Sequence, residues 1–167
     1  MSERRGDTRG GEALTLPVDG RQSEAARAIQ RGALRYLAAR GLVGLPEFVL
    51  ASGRRADIAA IDSRGEVWVI EIKSSVMDFR TDRKWAEYRL YCDRLFFAVG
   101  PDFPVEILPE DAGVMLADQF GAGLVREAPA HPLPAATRKA LTLRLARTAA
   151  GRLMGLMDPE ALRGIEL

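Results

Sequence analysis

Three charged residues interrupt an otherwise apolar stretch of this chain. They are Asp57, Glu71 and Lys73, carried by Arg54-Arg55-Ala56-Asp57 and, after thirteen intervening residues, by Glu71-Ile72-Lys73. A charge beside a buried sheet is expensive unless it is paired or bound to a metal. Strand alternation puts Glu71 and Lys73 on one face and Ile72 on the other. If Asp57 joins that face, two carboxylates and an ammonium converge near one end of a β-ribbon. Such a set suits Mg²⁺, a hard cation that takes oxygen ligands and keeps several waters, with Mn²⁺ as its substitute. The Ile72 carbonyl is placed to complete the coordination. A metal held this way activates water and neutralises a phosphoryl oxygen. A neighbouring lysine orients the attacking water and opposes the developing charge. The competing reading is an ordinary salt bridge of Lys73 with Glu71 or Asp57 at a strand end.

The elements that must position these residues are legible nearby. Ala56–Ile61 and Val67–Lys73 are rich in Ile and Val and read as strands, with a shorter apolar run at Glu47–Leu50. Between the two longer strands lies Asp62-Ser63-Arg64-Gly65-Glu66. A three-residue loop with Gly65 in the left-handed conformation sets Asp62 opposite Glu66 and hence Asp57 opposite Glu71. A four-residue loop shifts the pairing by one and sets Asp57 beside Ile70. Both faces of the hairpin are apolar, so helices are expected on both sides of the sheet. Ser23–Arg40 reads as the first helix, capped by Ser23 and ended by Gly41. Ala26, Ile29, Ala33 and Leu37 share one face, and Arg27, Arg31 and Arg35 the opposite one. That arginine row is either a solvated face or a phosphate-contacting stripe. A second helix is expected over about Thr81–Cys92, then a buried strand at Leu95–Val99. Short strands follow at Val105–Leu108, Val114–Ala117 and Leu124–Arg126. A final helix spans Ala135–Met157, where Gly151 and Gly155 can break or fray its end.

Length and composition bound the rest. The chain has 167 residues, 47% hydrophobic and 28% charged, with net charge +1. These values suit a single water-soluble domain and do not by themselves announce a nucleic-acid binder. No apolar run reaches the roughly 18 residues of a membrane helix. Residues 1–20 read as a disordered polar tail without a secretory signal, and residues 21–167 as one domain, expected in the cytoplasm. A lone Cys92 and a lone His131 build neither a disulfide nor a Cys/His zinc site. Cys92 reads as a helix-end core residue and His131 as a loop residue. Residues 131–157 hold five bases and no acid, whereas residues 102–127 hold six acids against Arg126 alone. The bases of the last helix do not form one row.

The order helix, strand, Asp-bearing strand, Glu-x-Lys strand, helix, strand resembles the core of the PD-(D/E)XK, or restriction-endonuclease-like, superfamily. Ala56 stands where the proline of that name would be. Three segments are similar to the MmcB family of DNA-repair endonucleases: residues 23–32, Asp82-Arg83-Lys84-Trp85-Ala86-Glu87-Tyr88, and Thr137-Arg138-Lys139-Ala140-Leu141. The resemblance spans most of residues 21–160. It implies an α/β fold with a mixed central sheet flanked by helices and the core order αβββαβ. It also implies a Mg²⁺-dependent DNA endonuclease acting in repair. Asp57 and Glu71, with the Ile72 carbonyl, would hold the metal, and Lys73 would be the catalytic lysine. Glu24 would match a first-helix acid of the superfamily, its other reading being an i,i+3 partner of Arg27. Lys84 and Tyr88 resemble a Gln-x-x-x-Tyr pair of related nucleases, with lysine departing from glutamine. The expected DNA surface is therefore Glu24, Arg27, Arg31, Arg35, Lys84 and Tyr88. DNA is the expected partner, with a second copy or other repair proteins as further ones. The rival readings are a catalytically silent DNA-binding module of the same fold and a protein in which these charges merely pair. Trp85 reads as core packing.

Overall fold

The Ser23 hydroxyl accepts a hydrogen bond from the Ala26 N–H at 3.1 Å and starts helix α1 (Glu24–Ala39). Gly41, at φ 78°, ends it. These features belong to a computed structural model that describes residues 23–82 and 84–164. The tail expected over residues 1–20 lies outside the described residues.

Six strands follow: β1 (Val43–Val49), β2 (Arg55–Ile61), β3 (Val67–Lys73), β4 (Arg94–Val99), β5 (Gly113–Ala117) and β6 (Ala122–Arg126). They form one open mixed sheet in the order β1-β2-β3-β4-β5-β6. β3, β4 and β5 run parallel to one another, and the remaining pairs are antiparallel. α1 covers one face, where Ile29, Ala33 and Leu37 pack on Ile58, Ile70, Phe96 and Met115. The other face is covered by α3 (Ala135–Met157) and by a 3₁₀ helix at Trp85–Tyr91, which bury Val67, Val69 and Leu95 under Tyr88, Leu141 and Leu145. The helices expected on both sides of a two-faced apolar sheet are present.

The three-residue loop is the one that forms. Gly65 takes φ 83°, its N–H donates to Asp62 O at 3.1 Å, and the Asp62 N–H donates to Glu66 O at 3.1 Å. β2 and β3 then pair Ile58 with Ile70 and Ile61 with Val67, a register that sets Asp57 opposite Glu71.

Four expectations are corrected. β1 begins at Val43 rather than Glu47 and contains Pro46, which a strand tolerates where its missing N–H is not needed, at a sheet edge. The outer carbonyls of that edge are engaged by α3. Arg152 donates to Pro46 O and, at 2.6 Å, to Glu47 O, and Arg144 donates to Val49 O at 3.3 Å. The helix expected at Thr81–Cys92 is instead a short α2 (Val76–Thr81) and the 3₁₀ helix, separated at an extended Asp82. In place of the strand expected at Val105–Leu108 there is a single 3₁₀ turn, Val105–Ile107, because Pro104 and Pro109 bracket the segment and leave no room for a ladder. α3 runs unbroken through Gly151 and Gly155 to Met157.

A buried acid ties these layers together. Asp93, 4% exposed, accepts hydrogen bonds from Val67 N–H (2.7 Å) and Leu133 N–H (2.9 Å). Arg138 of α3 grips both of its oxygens at 2.6 and 2.7 Å and also donates to Gly65 O. One carboxylate thus joins β3, the segment before α3, α3 itself and the β2–β3 loop.

Candidate active site

The hairpin carries its charges to the end of the sheet where β3 runs out. Asp57 Oδ2 accepts the Ile72 N–H at 2.7 Å, which orients the Asp57 carboxyl beside Glu71. Lys73 is 3% exposed and Glu71 6% exposed. Lys73 Nζ donates to Glu71 Oε1 at 3.0 Å and to Asp82 Oδ2 at 2.6 Å. Asp82 Oδ1 accepts the Lys84 N–H at 2.8 Å. Glu71 Oε2 is buried and has no hydrogen-bond partner. Asp57, Glu71, Ile72 and Lys73 line a cleft of about 330 Å³ together with Glu47, Arg55, Ser74 and Asp78 and, at the start of α1, Ser23 and Ala26; Asp82 stands behind Lys73, outside the lining. The structure therefore gathers Asp57, Glu71, Ile72 and Lys73 at one place.

The electrostatics follow from burial. Removal from water, and then the neighbouring Asp57 carboxylate, push Glu71 up to about 8. Burial likewise lifts Asp57 to about 6, against the opposing pull of the Ile72 N–H and the Lys73 charge. Burial presses Lys73 toward its neutral form, but Glu71 and Asp82 outweigh it and raise the ammonium above its ordinary value. Asp82 is also desolvated, yet Lys73 and the Lys84 N–H hold it below the usual carboxylate range. Two mutually repelling carboxylates, one with an unmatched buried oxygen, form a donor set short of positive charge. Among the described residues no group of three or more His, Cys, Asp or Glu side chains could hold a metal ion. The hard-cation ligands on offer are two carboxylates and a backbone carbonyl.

Two residues of this neighbourhood carried no assignment in the sequence. Asp82 follows the last residue of α2, nine positions after Lys73, and no local periodicity links the two. Glu47 lies on β1 across from Asp57, between the pairs Pro46–Ile58 and Phe48–Ala56. It has a left-handed φ of 51°, lines the cleft and forms an ion pair with Arg55 at 2.6 Å. Its charge contributes to raising Asp57.

The residues expected on a DNA surface separate. Arg27, Arg31 and Lys84 are exposed, as is Glu24. Ser23 and Ala26, not Glu24, are the α1 residues that line the cleft. Arg35 is exposed as well; it lies further along α1 and donates to Gln119 O and Phe120 O, tying α1 to the β5–β6 turn. Tyr88 faces inward, 7% exposed, with its hydroxyl donating to Arg55 O at 3.0 Å. It braces the strand leading to Asp57 rather than forming part of an exposed surface. Trp85 packs edge-on against Phe97 with ring centres 5.5 Å apart. Cys92 is buried, and burial pushes its thiol up to about 12, as suits an inert core residue. His131 lies in a loop against Arg89.

No helix among the described residues is long and apolar enough to cross a membrane. No curated protein matches the chain. A solved structure, described as the SPO1766 protein of unknown function from Silicibacter pomeroyi, is 43% identical. The match covers 87% of this chain and 97% of that one, with a TM-score of 0.79. A family model described as DNA repair protein MmcB-like matches residues 14–160. That span contains the three segments whose resemblance pointed the same way, together with Asp57, Glu71, Lys73 and Asp82. The chain belongs to the MmcB-like DNA repair protein family.

Proposed function

We propose that the chain is a Mg²⁺-dependent DNA endonuclease of DNA repair, with a restriction-endonuclease-like PD-(D/E)XK active site at Asp57, Glu71 and Lys73. The observation that carries this reading is Glu71 Oε2, a buried carboxylate oxygen without a partner in a residue that lines the cleft beside Asp57. A divalent cation would satisfy that oxygen and relieve the repulsion that raises both carboxyls. Asp57, Glu71 and the Ile72 carbonyl would hold Mg²⁺, or Mn²⁺ in its place. When bound, such an ion lowers the pKa of a water and neutralises a phosphoryl oxygen. The Ile72 N–H keeps the Asp57 carboxyl in place. Lys73 is held protonated by Glu71 and Asp82, so it serves as a fixed positive charge and hydrogen-bond donor, not as a proton acceptor. It orients an attacking water and opposes charge building on the scissile phosphate. The exposed Arg27 and Arg31 of α1, and Lys84, are the cations this reading assigns to the DNA backbone.

The test is incubation with duplex, flapped, forked and single-stranded DNA, with and without Mg²⁺ or Mn²⁺. Cleavage is expected only with metal, and Asp57→Asn, Glu71→Gln and Lys73→Ala should each abolish it while leaving the circular dichroism spectrum unchanged. Replacing Arg27 and Arg31 by Gln should flatten the log–log salt dependence of duplex binding by roughly 0.9 for each phosphate that is no longer neutralised. Cleavage by Glu71→Gln at the wild-type rate would sink the catalytic assignment. DNA binding without cleavage of any substrate would leave a non-catalytic module of the same fold.

A further inference from the structure

Asp82 stands outside the acid–acid–lysine set, yet it makes the shortest contact in the cluster, 2.6 Å from its Oδ2 to Lys73 Nζ. An ammonium has three N–H donors. Glu71 Oε1 and Asp82 Oδ2 take two of them in this structure. Glu71 is left asymmetric: Oε1 is bonded to Lys73 while Oε2 is buried and unmatched. Without Asp82, Glu71 is the one acceptor left to the Lys73 ammonium among those it bonds here, and Asp57 and Asp78 are the further carboxylates of the same cleft. Lys73 would then settle among those carboxylates and occupy the oxygens that a cation needs. Asp82 gives the ammonium an anion that does not line the cleft, so Lys73 need not be neutralised by the carboxylates offered to a cation. The Lys84 N–H donates to Oδ1 and orients the Asp82 carboxylate at the break between α2 and the 3₁₀ helix.

We propose that Asp82 is a positioning residue: it holds Lys73 Nζ off Glu71 Oε2 and so keeps the metal-binding oxygen open and the lysine aimed. The proposal rests on the nuclease reading of the site.

The experiment compares full-length wild type with Asp82→Asn, Asp82→Ser and Asp82→Glu. Serine keeps a short acceptor for the Lys84 N–H without the charge, and serves if asparagine impairs folding. Three quantities are measured: Mn²⁺ affinity without DNA by calorimetry, kcat and KM for cleavage, and the Lys73 ammonium resonance by ¹⁵N NMR. The neutral variants are expected to bind Mn²⁺ about tenfold or more weakly, in line with the loss of an outer-shell partner. Their kcat should fall by a similar factor with KM for DNA within about twofold of wild type. Asp82→Glu should recover most of both. The Lys73 resonance, protected by its two acceptors in wild type, should broaden beyond detection in Asp82→Asn and Asp82→Ser and persist in Asp82→Glu. A neutral variant that keeps wild-type Mn²⁺ affinity and a sharp Lys73 resonance overturns the proposal. A wild type that neither binds Mn²⁺ nor cleaves DNA overturns the nuclease reading and this proposal's metal role with it. The ammonium resonance then still decides whether Asp82 holds Lys73.

Discussion

Removing the Glu71 charge should make the metal-free protein more stable at alkaline pH. Glu71 is 6% exposed, and burial with the Asp57 charge moves its carboxyl from an ordinary 4.5 to about 8 in the folded state. A carboxyl whose folded pKa lies above its unfolded one makes the native state bind more protons. Stability therefore falls as pH rises, through a window from about 4.5 to about 8. Each tenfold difference in proton affinity is worth about 1.4 kcal/mol, which bounds the full effect at roughly 4–5 kcal/mol. Asp57 shares the same repulsion, so the part that Glu71 alone can relieve is roughly 2–3 kcal/mol at pH 8. Glutamine mimics the protonated carboxyl and can still accept from Lys73. Glu71→Gln should match wild type to within about 1 kcal/mol at pH 5. At pH 8 it should melt about 5–10 °C higher in EDTA, given about 2–4 °C per kcal/mol at this chain length. Millimolar Mn²⁺ should raise the wild-type melting temperature at pH 8 and leave the variant unmoved, because a ligand that binds only the folded state shifts its equilibrium. The assay is a set of melting curves from pH 5 to 9, with EDTA or Mn²⁺. Parallel wild-type and variant curves across that range, or a variant less stable at pH 8, would refute the reasoning and favour a plain salt bridge.

Two further outcomes test the frame that holds the site. Asp93→Ala should cost roughly 3–5 kcal/mol in urea unfolding, since it leaves Arg138 uncompensated and two buried N–H groups unpaired; a loss under about 1 kcal/mol contradicts the keystone role. Because Arg138 and the two N–H groups hold Asp93 below its ordinary 3.8, against burial, its contribution is present at neutral pH and is lost as pH falls below that value. Gly32→Ala would put a Cβ 2.1 Å from Asp118 O and 2.3 Å from Gly121 O, both backbone atoms, so α1 or the β5–β6 turn must move. The expected loss is at the upper end of the roughly 1–3 kcal/mol of overpacking, and an unchanged melting temperature would show that this contact yields freely.

Much of the framework could be read from short-range signals. Ser23 and Gly41 bound α1, and α3 runs over the residues that its composition and flanking prolines indicate. The five residues Asp62–Glu66 determined the hairpin register, because Gly65 supplies the left-handed backbone that a three-residue loop requires. That register, one of the two the sequence left open, together with strand alternation places Asp57 beside Glu71. The α/β class also follows locally, from strands apolar on both faces. Where the reading missed, the deciding contact was distant. Pro46 belongs to a strand only because β1 is a sheet edge, and α3 engages that edge from about a hundred residues away. Tyr88 turns inward because Arg55 offers a carbonyl across the sheet.

The amino-acid order alone narrowed the hairpin to two registers, because the side-chain period of two and a loop of three or four residues leave little else to vary, and the structure takes the one that sets Asp57 opposite Glu71. Only the tertiary structure decided what those charges do to each other. It sank Glu71 and Lys73 beneath the 3₁₀ helix, brought Asp82 to Lys73, set Glu47 across from Asp57, and left one oxygen of Glu71 unmatched. The reason is physical: desolvation depends on every element that covers a group, and a carboxylate's partner can come from any segment that packs within about 3 Å of it.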